Sequence, residues 1–318
     1  MSLATYDAVV VGGGPAGYAA AVWLARYRRK TLVIDSGEQR NRAVDRMHGY
    51  LGLGDVEPGV LLDRARAELL RYDQTAVRRG LVTEVRPAPE GFHLDIDGEV
   101  VSTCRVVLAC GVTDDKPDIE GFDEHYGSSV FTCPSCDGFE GRDQDVVTLG
   151  WNEGLADFSL HLFEWARSVT IVTDGRRFEG DERQRDALAR LGIEILEEPA
   201  VAFEGTRGDL RGVRLGDGRL VESQMAFFSI GVRPRSELPA QLGCKTDDEG
   251  YVLVDDGCET SVAGVFAAGD LTPGVHLVQV AAAEGAVAGV TCARSLRGEP
   301  GAIGSPDPSP SIEAELSG

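Results

Sequence analysis

The segment Cys133-Pro134-Ser135-Cys136-Asp137 holds the residues best suited to chemistry. Two sulfurs separated by two residues can close a disulfide with little backbone movement. A thiolate forms readily in such a motif, and Asp137 could move protons on and off a departing sulfur. The competing chemistry is half of a zinc site. Structural zinc normally needs a second close ligand pair. The other cysteines (Cys104, Cys110, Cys244, Cys258 and Cys292) and the histidines are scattered. No metal site is assigned, and those cysteines read as small buried hydrophobes.

The second concentration is Gly12-x-Gly14-Pro15-Ala16-Gly17, with Asp35 placed 18 residues after Gly17. Gly12 allows a tight turn, Gly14 lets backbone approach a pyrophosphate, and Gly17 lets helix and strand pack closely. The helix that follows offers free N–H groups to phosphate charge. Asp35 can accept hydrogen bonds from ribose hydroxyls. A lone glycine signature is weak. Here strand, glycines, helix, strand and acid occur in order, which is the arrangement the chemistry needs.

These residues require elements to hold them. Ala8–Val11 reads as a strand, Tyr18–Tyr27 as a helix and Thr31–Ile34 as the next strand, one βαβ unit. Asp63–Tyr72 reads as a helix. Gly80–Glu84 and Phe92–Ile96 alternate like antiparallel strands, and Arg105–Ala109 is a further apolar strand leading to Cys110-Gly111. A second unit follows: strand Val146–Leu149, helix Leu155–Ala166, strand Val169–Val172. Strand-like Thr260–Asp270 and a small-residue helix, Val278–Leu296, close the pattern. Pro117–Gly121 and Leu242–Gly250 read as linkers.

At 318 residues the chain is long for one core, so two domains are expected. Its formal net charge of -21 argues against nucleic-acid and anionic-membrane binding. No apolar run of about 18 residues marks a membrane span, and residues 1–7 lack the pattern of a secretory signal. Seven cysteines without a framework pattern fit a reducing compartment, and the cytoplasm is the expected location.

Taken in order, the glycine turn, the cysteine pair and the Thr260–Asp270 segment resemble the low-molecular-weight thioredoxin reductase family, from Tyr6 to Leu296. The resemblance implies an α/β fold with two Rossmann-like dinucleotide-binding domains. A discontinuous FAD-binding domain (1–116 and 247–298) would be interrupted by an NAD(P)-like domain (117–246) carrying the redox pair. Separately, the turn to Gly, Pro, Ser and acids from Gly298 onward reads as a disordered tail, 299–318. The resemblance implies FAD, and not NAD, as the N-terminal ligand. It places Cys136 toward the flavin, makes Cys133 the interchange thiol, and gives Asp137 the role of the family's acid. The implied FAD contacts are Gly12, Gly14, Pro15, Ala16, Gly17, Asp35, Ser36, Arg40, Asn41, His48, Val82, Ala109, Gly111, Gly269, Asp270, Val278, Gln279 and Val280. The implied partner is a thioredoxin-like protein or a small disulfide or dithiol, and the implied assembly is a homodimer. Pro117 and Leu242–Gly250 are the hinge candidates.

The chain departs from that family at its second nucleotide loop. Gly150-Trp151-Asn152-Glu153-Gly154 puts Trp151 where the second glycine is expected, and an indole there blocks backbone approach to phosphate. Asp174 ends the next strand where a 2′-phosphate needs positive charge, although Arg176 and Arg177 follow closely. NADPH binding is therefore read as altered or lost. Arg40-Asn41-Arg42 through Met47-His48-Gly49 resembles a branch that includes dithiol oxidases. Asp137, in place of a histidine, points back toward the reductases.

Four readings stay open. One is a disulfide reductase fed by ferredoxin or a second FAD, and another is a dithiol oxidase using oxygen. The others are an ordinary NADPH thioredoxin reductase and a non-catalytic redox sensor. His48 reads equally as a base or as a loop-fixing side chain. His276 reads as a surface residue. The basic run Arg26, Arg28, Arg29 and Lys30 reads as a solvated helix end or as a docking face for an acidic protein.

Overall fold

A computed structural model describes residues 4–297; the tail expected at 299–318 lies outside the described residues. The chain divides into two compact units. One comprises the residues up to Arg40, Gly59–Thr113 and Arg233 onward. The other comprises Asn41–Pro58 and Asp114–Val232.

The first unit opens with β1 (Thr5–Val11), α1 (Pro15–Arg26) and β2 (Thr31–Asp35). It continues with α2 (Pro58–Leu69), β3 (Thr75–Arg79), β4 (Val82–Ala88), β5 (Gly91–Ile96) and β6 (Glu99–Leu108). The chain leaves through β7 (Val112–Asp114). β1 runs parallel between β2 and β6, pairing Val10 with Val33 and with Val107, and β3 extends the parallel edge. β4 and β5 continue the sheet as an antiparallel meander. The apolar runs of β1 and of the end of β6 (Val106, Val107 and Leu108) suit strands covered on both faces.

The second unit holds α3 (Phe122–His125), β8 (Val130–Phe131), α4 (Pro134–Asp137), β9 (Asp145–Gly150), α5 (Leu155–Leu162) and β10 (Ser168–Val172). After these come α6 (Glu182–Arg190), β11 (Glu194–Leu196), β12 (Ala200–Thr206), β13 (Asp209–Leu215), β14 (Leu220–Glu222) and β15 (Met225–Ser229). A five-stranded parallel sheet runs in the order β11-β10-β9-β15-β8, and β12-β13-β14 form an antiparallel sheet. The expected helix at 155–166 stops at Leu162, where Phe163 caps it and the chain turns through Trp165.

The chain crosses back through β16 (Val232–Pro234) and adds α7 (Glu237–Leu242), β17 (Val265–Ala267) and α8 (Val278–Ser295) to the first unit. The crossing falls at Val232/Arg233, ahead of the expected domain junction at 246/247. Leu238 and Leu242 explain the difference: both are buried in the first unit's core. β17 pairs with the last residues of β6. α8 lies against α1 through glycines that bring the helices close. A Cβ on Gly285 would sit 2.7 Å from the Ala16 carbonyl carbon, and one on Gly289 would sit 2.9 Å from the Ala20 Cα. The two dinucleotide-type α/β units agree with the expected fold.

No helix of the described residues is long and apolar enough to cross a membrane. The basic run after α1 is partly structural. Arg29 is buried and donates to the Ala293 carbonyl at 3.0 Å, while Arg26 lies over Trp23 and Lys30 over Tyr6.

Candidate active site

The glycine turn of the first unit is built around contacts that side chains would destroy. Gly12 has φ of +120°, and a Cβ there would strike the Ala109 carbonyl. Gly17 faces the Gly12 carbonyl in the same way. In front of Gly14, by contrast, no atom lies within 4 Å of a Cβ position. Gly14 caps α1 with no side-chain hydrogen bond, and Pro15 begins the helix where no N–H is needed. An uncapped helix start beside open space is a cradle that fits a pyrophosphate.

Asp35 sits at the end of β2 with its carboxylate held. Oδ1 accepts from the Gly37 N–H at 2.7 Å and from Gln39 Nε2 at 2.8 Å, and Tyr18 Oη donates to Oδ2 at 3.4 Å. Burial, with the Asp35 charge beside it, pushes the Tyr18 phenol up to about 12, so it stays a donor. Ser36 Oγ accepts from the Glu38 N–H. The sequence reading missed two contributors here. Gly13 leaves room for the Asp35 carboxylate, and Gln39 ties Asp35 to the Gly13 carbonyl at 3.2 Å. Their signal is spatial and no spacing rule marks it.

The structure brings Arg40 to Asp270, with Nη1 and Oδ2 3.1 Å apart. Gly269 turns the chain at φ +77° ahead of Asp270. That turn is fixed by Glu284 on α8: its Oε2 accepts from the Gly269 N–H at 2.8 Å and from Thr272 Oγ1 at 3.0 Å. Sequence reasoning missed Glu284 as well. Val278, Gln279 and Val280 form the first turn of α8, again without a side-chain cap. Gly111 has φ +68° and open space before it. Val82 is different in kind, since its side chain is buried in the sheet's apolar cluster. His276 is half-buried and not a plain surface residue: its ring lies 5.4 Å from that of Tyr251, and its Nε2 is buried without a partner. Glycine cradle, uncapped helix starts and oriented carboxylates fit FAD.

In the second unit, Cys133 and Cys136 form a disulfide with Cα atoms 5.2 Å apart. Cys133 is the N-cap of α4, and its Sγ accepts from the Cys136 N–H at 3.1 Å. Such a bond strengthens when the sulfur is ionised. Pro134 fixes the first helical φ without wasting a donor. Gly138 lets α4 end against Trp165, whose ring would lie 2.6 Å from a Cβ. Asp137 is 6 % exposed. Burial pushes its carboxyl up to about 7; His48 pulls it down and Glu140 adds to the rise. A carboxyl poised there can give or take a proton near neutrality. Cys110, Cys258 and Cys292 lack that character, while Cys104 and Cys244 are only partly buried. Burial pushes Cys110, Cys258 and Cys292 up to about 12, 11 and 12, leaving them as protonated packing residues.

Asn41 and His48, expected at the flavin, belong to the compact unit that carries the disulfide. The Asn41 carbonyl accepts from the Val44 N–H at 3.2 Å. His48 Nδ1 lies 3.0 Å from Asp55 Oδ1 and 3.7 Å from Glu140 Oε1.

The second nucleotide loop follows β9. Gly150 packs against the Ser229 carbonyl, and Asn152 Nδ2 donates to Ser229 Oγ at 2.9 Å. The Arg176 guanidinium stacks 3.6 Å over the Trp151 ring. The same Arg176 pairs with Asp174 Oδ2 at 2.9 Å, while Asp174 Oδ1 accepts from the Ala200 N–H at 3.0 Å. Asp174 holds φ of +52°, a left-handed conformation that Asp tolerates.

The pyridine nucleotide-disulphide oxidoreductase family pattern matches residues 6–285 of this chain. A thioredoxin reductase of Mycolicibacterium smegmatis is 32% identical over 309 residues, spanning 94% of this chain and 97% of that protein. The crystal structure of HlmI superposes with a TM-score of 0.86 at 32% identity, covering 91% of this chain and 92% of its own. An oxidoreductase from Agrobacterium tumefaciens superposes with a TM-score of 0.83 at 31% identity, covering 92% and 98%. The chain belongs to the pyridine nucleotide-disulphide oxidoreductases, as an FAD-dependent, thioredoxin-reductase-like disulfide oxidoreductase.

Proposed function

We propose that this oxidoreductase exchanges electrons with an external disulfide or dithiol at Cys133–Cys136 and does not take them from NADPH in the ordinary way. The observation that carries the second half is the Trp151–Arg176–Asp174 stack. A guanidinium over an indole contributes about 1 kcal/mol at a partly exposed site, and a partly exposed ion pair up to about 1 kcal/mol. Those terms alone are modest. Trp151 weighs more, because an indole where a glycine is expected denies a pyrophosphate close approach to the backbone. Asp174 adds a carboxylate where a 2′-phosphate would meet it, with Arg176 already engaged. Arg177 remains exposed beside them.

FAD, when bound in the glycine cradle, supplies a two-electron carrier. The chain's own residues do the rest. Cys133 forms and breaks the bond to the substrate sulfur, and Cys136 accepts the displaced electron pair. Asp137 holds the proton that a departing sulfur needs, and Asp35, Arg40 and Asp270 orient the carrier. The donor in this reading is ferredoxin or a second flavin, and the acceptor is a thioredoxin-like protein or a small disulfide. A cytoplasmic homodimer belongs to the same reading. The second reading, a dithiol oxidase passing electrons to oxygen, uses the same cysteines in reverse.

The test is anaerobic stopped-flow mixing of the purified flavoprotein with NADPH and, separately, NADH. Neither is expected to bleach the flavin at catalytic speed. Rapid bleaching by NADPH would overturn the proposal and make this an ordinary NADPH thioredoxin reductase. Flavin counted per chain in the same sample separates a second flavin from a protein donor.

A further inference from the structure

His48 has no task in the chemistry above, yet its setting is constructed. It lies in Asn41–Pro58, which folds with the disulfide-bearing unit. The segment is pinned there. The Asp45 N–H donates to the Gly127 carbonyl at 2.8 Å, the Asp45 carboxylate pairs with Arg207, and the Met47 N–H donates to the Val56 carbonyl at 2.8 Å. Within this frame Asp55 Oδ1 holds His48 Nδ1 at 3.0 Å. The imidazole is 18% exposed, and Asp55 reaches solvent at 65%. Among the described residues no protein group partners Nε2. A carboxylate on the Nδ1–H leaves the Nε2 lone pair as the basic end, the arrangement of a base and its orienter. Three charged groups face the ring: Asp55 from its own loop, Asp137 from α4, and Glu140 from the turn that leaves α4, at 3.7 Å. The ring therefore borders the segment that carries the disulfide.

We propose that His48, oriented by Asp55, is the base that takes the proton from an incoming substrate thiol. The thiol gives its proton to Nε2, and its sulfur then bonds Cys133 Sγ as the Cys133–Cys136 bond breaks. The electron pair leaves on Cys136 Sγ, which takes the Asp137 proton. A second thiol of the substrate is deprotonated in the same way and displaces Cys133. The substrate ends as a disulfide, two electrons poorer, and both cysteines end reduced; each proton leaves Nε2 for solvent before the next is taken, and Asp55 keeps the Nδ1 proton in place. In the opposite direction the imidazolium protonates the departing substrate thiolate. The inference rests on thiol–disulfide exchange at this pair and is indifferent to the electron donor.

The experiment mixes oxidised holoenzyme anaerobically with dithiothreitol at neutral pH, quenches at early times with an alkylating agent, and reads opening of Cys133–Cys136 by mass. His48→Gln is expected to slow opening about 100-fold, the lower end of what a general base contributes, and Asp55→Asn to slow it less, since the imidazole remains. Both variants should react at wild-type speed with an arylthiol that is already ionised at neutral pH. Free imidazole should restore the dithiothreitol rate of His48→Gly. Equal slowing with both thiols, or no slowing with either, overturns the proposal. Failure of the wild-type disulfide to open with either thiol would instead overturn the exchange reading beneath it.

Discussion

Asp137→Asn tests whether the buried carboxyl is held neutral. Its value rises from 3.8 to about 7, chiefly through burial, which corresponds to about 4 kcal/mol between the protonation states. Only 6 % of the residue is exposed, so little water screens this cost. Below 3.8 the carboxyl is neutral in folded and unfolded chains alike, and it costs nothing. As pH rises toward 7 the unfolded chain ionises freely while the folded chain does not. Stability is therefore lost at about 1.4 kcal/mol per pH unit, then levels off. The amide of the Asp137→Asn variant does not titrate, so that protein lacks the slope. The variant should match the wild type near pH 4 and exceed it by about 4 kcal/mol above about pH 7. Urea unfolding of both proteins at stepped pH, followed by circular dichroism, reads the difference directly. A gap that does not change with pH would refute the reasoning. The stabilised variant should also exchange disulfides more slowly, a trade of stability against function.

Three further outcomes follow from the geometry. Glu284→Ala frees the Gly269 N–H and Thr272 hydroxyl, and should weaken flavin retention by about 10-fold or more, about the worth of one hydrogen bond to a charged group, read by equilibrium dialysis. Gly285→Val forces Ala16 away from α8 and should cost about 1–3 kcal/mol, as overpacking does, read as a lowered thermal midpoint. Trp151→Gly with Arg176→Ala should raise NADPH affinity only slightly while Asp174 remains, and more once Asp174→Ser is added, measured by nucleotide titration.

Much of this molecule was legible in its sequence, and the reasons are local. The strand-glycine-helix-strand order around Gly12 to Asp35 reports backbone contacts that tolerate no Cβ, so composition carries the geometry. The cysteine pair announces itself by spacing. What stayed hidden is held by distance in the chain. Gln39 and Glu284 shape the FAD cradle through hydrogen bonds to main chain, and nothing in their neighbourhoods marks them. His48 was legible as interesting but not as a member of the disulfide unit, because its anchors, Gly127 and Arg207, lie far along the sequence. β3 was overlooked because Thr75–Arg79 is half-exposed and ends in two arginines. The domain junction shifted because Leu238 and Leu242 pack into a core built mostly from residues much earlier in the chain.

The closure of α1 by α8 bears on how the protein is made. Arg29 finds its carbonyl at Ala293, 264 residues further on. At about 5–20 residues per second, a ribosome needs on the order of ten seconds to a minute to cover that interval. Throughout it, Ala16, Ala20 and the buried guanidinium of Arg29 wait without their final neighbours. The stretch Asp114–Val232, nearly all of the disulfide unit, emerges meanwhile as one continuous length. The nascent chain thus completes its redox arm before its flavin cradle, and a stall late in translation would release a polypeptide able to form Cys133–Cys136 with no finished site for the cofactor that serves it.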